Sequence, residues 1–362
     1  MNDDYYVMWL SRIKGMNDKK LDKLIEYFGT AEKIYKADRI KLFGIHDDNT
    51  ALDIYRSARD GSMEKYIGEL EKTGTEYISK FNRIFPDGLK NIDDKPIGIY
   101  YKGTLPENNE VLISVIGSRR CTEYGKAVSL KIAGELAGCG MCIVSGLADG
   151  IDSYSSIGAL KAKGKTIGVL GTSIDKCYPA ANQSLYNEII KNGGCIISEH
   201  APYEKTHKYD FVYRNRIIAA LSRILIVVEA EDKSGTFSTV DAALNYGKSV
   251  FAVPGSIFSS YSRGTNRLIK EGCPPLTGYE DILFELGIED NIENKKTQKE
   301  EELNISDNGR LIIKFMSDEP IDTEALTIKT GFPIGTLQSE LTLLEVKGIV
   351  RRLPGQKYIS VL

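Results

Sequence analysis

Small hydrogen-bonding residues recur at the ends of apolar runs through the middle of this 362-residue chain. Residues 115–119 (VIGSR) supply Gly117, whose missing Cβ lets an anion approach the backbone, then Ser118 as a donor and Arg119 as a permanently charged fork for phosphate oxygens. A helical pattern starts a few residues later, so its first free amides face the same way. Residues 145–152 (SGLADGID) repeat the theme with Ser145 and Gly146, and residues 234–239 (SGTFST) do so with Ser234, Gly235 and Thr236. Gly255 closes a further run, and Asn266 follows in residues 264–266 (GTN). Hydroxyls and amides gathered at helix starts form an anion cradle. If the runs are parallel strands, these ends converge on one rim, and a phosphate-bearing ligand is the physical reading.

The richest cluster is residues 208–216 (KYDFVYRNR). Lys208, Arg214 and Arg216 supply charge for phosphates, and Phe211 and Tyr213 offer faces for bases. Arginine interleaved with aromatic rings suits a sequence-tolerant single-strand site. The bland alternative stays open, since Asn215 and either arginine equally serve to brace the helix that follows. Other chemistries lack their signatures. No G-x-G-x-x-G follows the first run with an acidic residue about 20 positions on, and no P-loop, nucleophile elbow or H-E-x-x-H occurs. Cys139 and Cys142 form a lone C-x-x-C without a second pair, so they read as packing cysteines, and no metal or cofactor is expected.

The elements that must position these residues follow from periodicity. Strand-like runs begin near Val111, Met141, Thr166, Cys195, Arg223 and Ser249, at intervals of roughly 25–30 residues, with helical patterns between them, one of whose apolar faces starts with Tyr124, Ala127 and Val128. That alternation predicts βαβ units, hence a Rossmann-like parallel sheet covered on both faces, over residues 80–290. Ligands of such sheets bind outside the carboxyl ends of the strands. Residues 1–75 read as short paired helices with glycine turns at Gly15 and Gly44, and Leu21, Leu24, Ile25 and Phe28 fall on one face. Residues 291–306 are polar and aperiodic, as a linker is. Residues 307–362 hold three helical patterns and a hairpin, the plan of a winged helix. Its third helix carries few base-reading residues beyond Gln338 and Lys347, whereas Arg351, Arg352 and Lys357 lie on the wing.

Composition sets limits. Hydrophobic residues make up 42% and charged residues 27%, as in a soluble multidomain protein. No signal-peptide pattern or membrane-length apolar run is present, so a cytoplasmic protein without membrane contact is expected. The net charge of −3 weighs mildly against nucleic acid, which demands a local basic patch.

The ordered motifs resemble the DprA/Smf (DNA-processing protein A) family over most of the chain. They are FPDGL at 85–89, IDDKP at 92–96, GSR at 117–119, SGLADGID at 145–152, RNRIIAALS at 214–222, SGT at 234–236, AVPG at 252–255 and SRGTN at 262–266. The resemblance implies an extended Rossmann-like domain with helix-hairpin-helix or SAM-like and winged-helix flanks. It also implies a homodimer that binds single-stranded DNA, without enzymatic activity, and delivers it to the RecA recombinase in natural transformation. It places Arg119, Lys208 and Phe211 against phosphates and bases. Three positions depart from the family: Asp149, Ser156 and Ala180 stand where it usually carries basic residues or histidine. Each change reads as positive charge lost near the rim, hence weaker or more salt-sensitive binding. An alternative is a nucleotide-cleaving enzyme of the lysine-decarboxylase-like phosphoribohydrolase type. There Thr239 stands where the motif's glutamate would be, and a hydroxyl does not replace that acid/base group.

Overall fold

The computed structural model describes residues 3–43, 48–288, 305–316 and 320–360. Contacts divide the chain into two units, Met1–Ile282 and Leu283–Leu362. Gly44 and most of the linker, residues 291–304, lie outside the described residues.

The first unit begins with short helices α1 (Asp3–Ser11), α2 (Asp18–Phe28), α3 (Ala31–Tyr35), α4 (Arg39–Phe43), α5 (Asp48–Ser57) and α6 (Ser62–Thr73). Local chemistry sets their ends. The Asn17 side chain accepts from the Lys20 amide (2.9 Å) to start α2, and Gly29, at φ 87°, ends it by donating to the Ile25 carbonyl. Leu21 and Leu24 are fully buried beside Trp9, Ile34 and Ile54, while Ile25 and Phe28 pack at the margin. Helix α1 is tied to the neighbouring sheet by Asp4, whose carboxylate accepts from the Ser79 amide (3.0 Å) and the Asn82 side chain (2.6 Å).

The sheet contains β1 (Glu76–Ser79), β2 (Gly98–Gly103), β3 (Leu112–Ile116), β4 (Cys142–Ser145), β5 (Thr166–Leu170), β6 (Cys195–Ser198), β7 (Ile224–Val227) and β8 (Ser249–Ala252). Their spatial order is β1-β2-β6-β5-β4-β3-β7-β8. Strands β3 to β8 pair in parallel, as the alternation predicts. Strands β1 and β2 add an antiparallel edge. No helical spacing announces that pair, because antiparallel neighbours need no crossover.

Helices α7 (Asp87–Lys90), α8 (Glu123–Gly138), α9 (Ile151–Lys161), α10 (Gln183–Lys191), α11 (Asp210–Leu221), α12 (Phe237–Asn245), α13 (Arg263–Lys270) and α14 (Glu280–Glu285) complete this part of the chain. The sequence pattern puts Tyr124, Ala127 and Val128 on the inner face of α8, and the structure corrects this. Gly125, Ser129, Ile132, Ala133 and Leu136 face inward, and Tyr124 is 49% exposed. Small residues hid the face from a hydrophobicity count: a Cβ at Gly125 would fall 2.4 Å from the Glu229 carboxylate.

In the second unit, α15 (Asp307–Phe315), β9 (Ile321–Asp322), α16 (Thr323–Thr330), α17 (Ile334–Val346), β10 (Val350–Leu353) and β11 (Lys357–Ser360) form a winged helix. Its sheet runs β10-β11-β9. Ile312, Leu326, Leu337, Leu341 and Leu344 fill its core, and the Asp322 side chain caps α16 through the Ala325 amide (2.7 Å).

Candidate nucleic-acid interface

The chain runs outward from β3 through β4 and β5 to β6, then returns to place β7 on the other side of β3. Connections after β3 and β7 therefore diverge, and a crevice opens between their carboxyl ends, where ligands of such sheets bind. A cleft of about 490 Å³ lies there. The loop after β3 contributes Gly117, Ser118, Arg119 and Arg120, and the loop after β7 contributes Glu231, Ser234, Gly235 and Thr236. Helix α11 adds Phe211, Val212, Arg214 and Asn215, and α9 adds Asp152.

Each wall has a local cause. The Ser118 amide donates to the Glu229 carbonyl (2.8 Å), which ties the β3 loop to the end of β7. The buried Glu229 carboxylate accepts from the Thr122 amide (2.9 Å) and hydroxyl (2.5 Å), while Thr122 caps α8 through the Gly125 amide (3.1 Å). Sequence reading passed over Glu229; an acid directly after an all-apolar strand was the available signal. Gly117 does border the cleft, but the space of its missing Cβ is filled by protein. A Cβ there would meet the Glu229 carbonyl and Ile151 at 2.8 Å. Its glycine serves packing, in place of the anion approach read from sequence. Gly235 has open space around it, and the Ser234 hydroxyl is held by the Thr236 hydroxyl (2.8 Å).

The predicted residues separate into surface and support. Arg119 is exposed and forms no ion pair with another described residue. Phe211 reaches the cleft with its ring 5.2 Å from Tyr178, and Lys208 is exposed just before α11, outside the cleft lining. Ser145 and Gly146 are buried below the cleft. The Ser145 hydroxyl meets Ser156 (3.1 Å), and the Gly146 amide donates to Asp152 (2.9 Å). Arg214 touches the cleft, yet its guanidinium donates to the carbonyls of Gly146 (2.9 Å) and Val169. Asn215 accepts from Arg214 Nε (3.2 Å) and donates to Ser238 (2.8 Å). Arg216 lies away from the cleft, clamped by both Glu199 oxygens (2.6 and 2.7 Å) and 3.2 Å from Asp94. Gly255 and Asn266 satisfy each other, the Asn266 amide bonding both the Gly255 N–H (3.2 Å) and its carbonyl (3.0 Å).

Burial also sets the electrostatics. It pushes the Asp152 carboxyl up to about 6, against the pull of Arg214 and the backbone donors that favour the anion. Burial pushes Arg214 down to about 10, opposed by Asp152. Glu199 is raised by burial, with Arg216 working against the rise. Of the three departures, Asp149 and Ala180 are exposed, whereas Ser156 is fully buried against Ser145 and Thr166 (3.4 Å). The change at Ser156 thus removes no charge from the rim.

The sequence model described as DNA recombination-mediator protein A matches residues 76–287, and the DprA winged helix domain model matches residues 295–356. This chain belongs to the DprA family, the DNA recombination-mediator protein A family. It is 35% identical over 285 residues to DNA processing protein DprA of Streptococcus pneumoniae, covering 77% of this chain and 97% of that protein. With the Bacillus subtilis protein of the same name it shares 38% identity over 226 residues, 62% of this chain and 75% of the relative. The solved structure of Streptococcus pneumoniae DprA superposes with a TM-score of 0.67 at 33% identity, covering 79% of this chain and 99% of that one. A Helicobacter pylori DprA structure, solved to describe its single-stranded DNA binding mode, gives a TM-score of 0.52 at 31% identity, with 59% and 97% covered.

Proposed function

We propose that this chain is a non-enzymatic DNA-processing protein that binds single-stranded DNA across the cleft between β3 and β7 and delivers it to the RecA recombinase. One observation carries the DNA reading: at the switch point of the sheet, Arg119 projects without a carboxylate partner among the described residues, beside the Ser118 and Ser234 turns and the Phe211 ring. An unpaired guanidinium suits a phosphate, and a partly exposed ring suits an unstacked base. The matched family's description as a recombination mediator supports hand-over to a recombinase, and family membership supports a cytoplasmic homodimer acting in natural transformation.

In this reading Ser118, Arg119, Lys208, Phe211, Ser234, Gly235 and Thr236 meet the strand, and Gly117 packs beneath them. Ser145, Gly146, Arg214, Asn215, Arg216, Gly255 and Asn266 hold the surface in place. A mobility-shift assay comparing single-stranded with duplex DNA tests it. The wild type should prefer the single strand and Arg119→Ala should bind it weakly; equal binding by the two proteins refutes the assignment. Mass measurement by light scattering tests the dimer, and co-precipitation of purified RecA tests the hand-over.

One feature favours the enzyme reading, since a buried carboxylate pushed up to about 6 beside a cleft suits acid/base work. Asp152, however, is occupied by the Gly146 amide and faces Arg214, as a structural brace does. Thr239, at the glutamate position of the phosphoribohydrolase motif, is buried. Release of free base from nucleoside monophosphates would overturn the non-enzymatic reading.

A further inference from the structure

The cleft lies at the carboxyl ends of the strands and leaves the opposite end of the sheet without a role. There residues 85–89 (FPDGL) bury Phe85 and Leu89 in the core, while Pro86, Asp87 and Gly88 line a separate cavity of about 250 Å³. Arg223 and Lys248 line it too, and the sheet brings these two cations together. Strands β7 and β8 pair in parallel with Ile224 opposite Ser249. Arg223 and Lys248, each one residue earlier, therefore enter the pair side by side and on the same face. The Arg223 amide donates to the Leu112 carbonyl at the start of β3 (2.8 Å), which fixes its place. Like charges set beside each other in a sheet repel. Arg223 is exposed and Lys248 half-buried, and neither forms an ion pair with another described residue. Burial pulls the Lys248 ammonium down, and Arg223 pulls it further. The acids that line the cavity are engaged elsewhere: Glu110 by Lys165 (2.6 Å), Asp87 by Lys90 (2.9 Å), and Glu107 acts on Lys165.

We propose that Arg223 and Lys248, with the side-chain amide of Asn108, form a second anion site, which takes a phosphate group at the amino ends of β7 and β8. Two adjacent cations without a counter-charge destabilise the sheet, and a bound anion removes that repulsion. A phosphate carries enough charge and enough acceptor oxygens to answer both cations at once, whereas a carboxylate brings one charge for two. Asn108 accepts the Asp87 amide on its side-chain carbonyl (3.1 Å), which leaves its NH₂ group to donate. The cavity is smaller than the roughly 300–1,000 Å³ of pockets for drug-sized ligands, so the phosphate group enters and whatever it is attached to stays outside.

Thermal unfolding of the full chain in inorganic phosphate, against chloride at equal ionic strength, tests the site. The reference protein is Arg119→Ala, which takes the cleft arginine out of the comparison. Its midpoint should rise by roughly 2–5 °C once phosphate exceeds its dissociation constant about tenfold. Arg119→Ala/Lys248→Met should unfold no earlier than the reference in chloride, because it sheds the repulsion, and should lose the rise with phosphate. Arg223→Gln in the same background, a change at the exposed partner, should lose it too, and Lys248→Arg should keep it. No rise in the reference protein, or an equal rise in the Lys248→Met and Arg223→Gln variants, overturns the proposal. Anisotropy titrations of the wild type and Lys248→Met with a labelled oligothymidylate at several salt concentrations then identify the source of the phosphate. A salt dependence shallower by about one contact in the variant assigns it to a nucleic-acid backbone, and an unchanged dependence assigns it to a free phosphate compound.

Discussion

Arginines stand both on the rim after β3 and within α11, and the two regions treat them differently. On the rim, Arg119 is exposed and meets no carboxylate among the described residues. Within α11, Arg216 is 5% exposed and faces Glu199 and Asp94, and Arg214 is 7% exposed and bonded to two carbonyls. A guanidinium whose charge is already answered has little left for a phosphate. A free one keeps its five donors. The RNR segment, the most DNA-like feature in the sequence, therefore builds the wall, and the single arginine of GSR remains available to a ligand.

The sharpest way to break this comparison is Arg216→Ala. It strips the half-buried Glu199 of its guanidinium clamp, which should cost about 3 kcal/mol of stability in urea unfolding. A fully stable variant would show that the pair is not structural. Next, Gly146→Ala places a Cβ 2.7 Å from both Arg214 and Asp152 and should destabilise the protein by roughly 1–3 kcal/mol in the same assay. Arg119→Ala should leave the unfolding curve unchanged yet weaken single-strand binding by about 10- to 100-fold, as loss of a charged hydrogen bond does. Arg119→Lys should recover only part of that, for want of the fork.

A smaller effect concerns pH. The folded Asp152 titrates at about 6 against an ordinary value of 3.8. The folded state therefore holds the proton more tightly than the unfolded state. The stability from this group is full below about 3.8 and is lost as pH rises through about 6. A phosphate in the cleft further disfavours the carboxylate, so binding should take up a proton and tighten as pH falls through about 6. Anisotropy titrations at fixed ionic strength check this, and Asp152→Asn should flatten the profile; an unchanged profile in the variant assigns the dependence elsewhere. The smallest expected change is Asp149→Lys, which adds charge at an exposed position and should steepen the salt dependence by about one phosphate contact. Ser156→His should do no such thing, because that position is interior.

Much of the fold was legible in residue order. Apolar runs alternating with helical spacing announced the six parallel strands, since a parallel neighbour requires a crossover long enough to leave its own periodicity. The antiparallel edge of β1 and β2 left no such trace. The inner face of α8 was misread because glycine and serine do the close packing there. Residue types also marked the loops after β3 and β7 that line the cleft, because Gly, Ser, Thr and Arg recur together at those strand ends. They left open which of those residues face outward. Strand order placed the crevice between β3 and β7. Burial then turned Arg214 and Arg216 inward, and the company of Glu229, Asp152 and Glu199 distributed the charge. Each of these is a contact between segments far apart in the chain, which no local spacing of residues encodes.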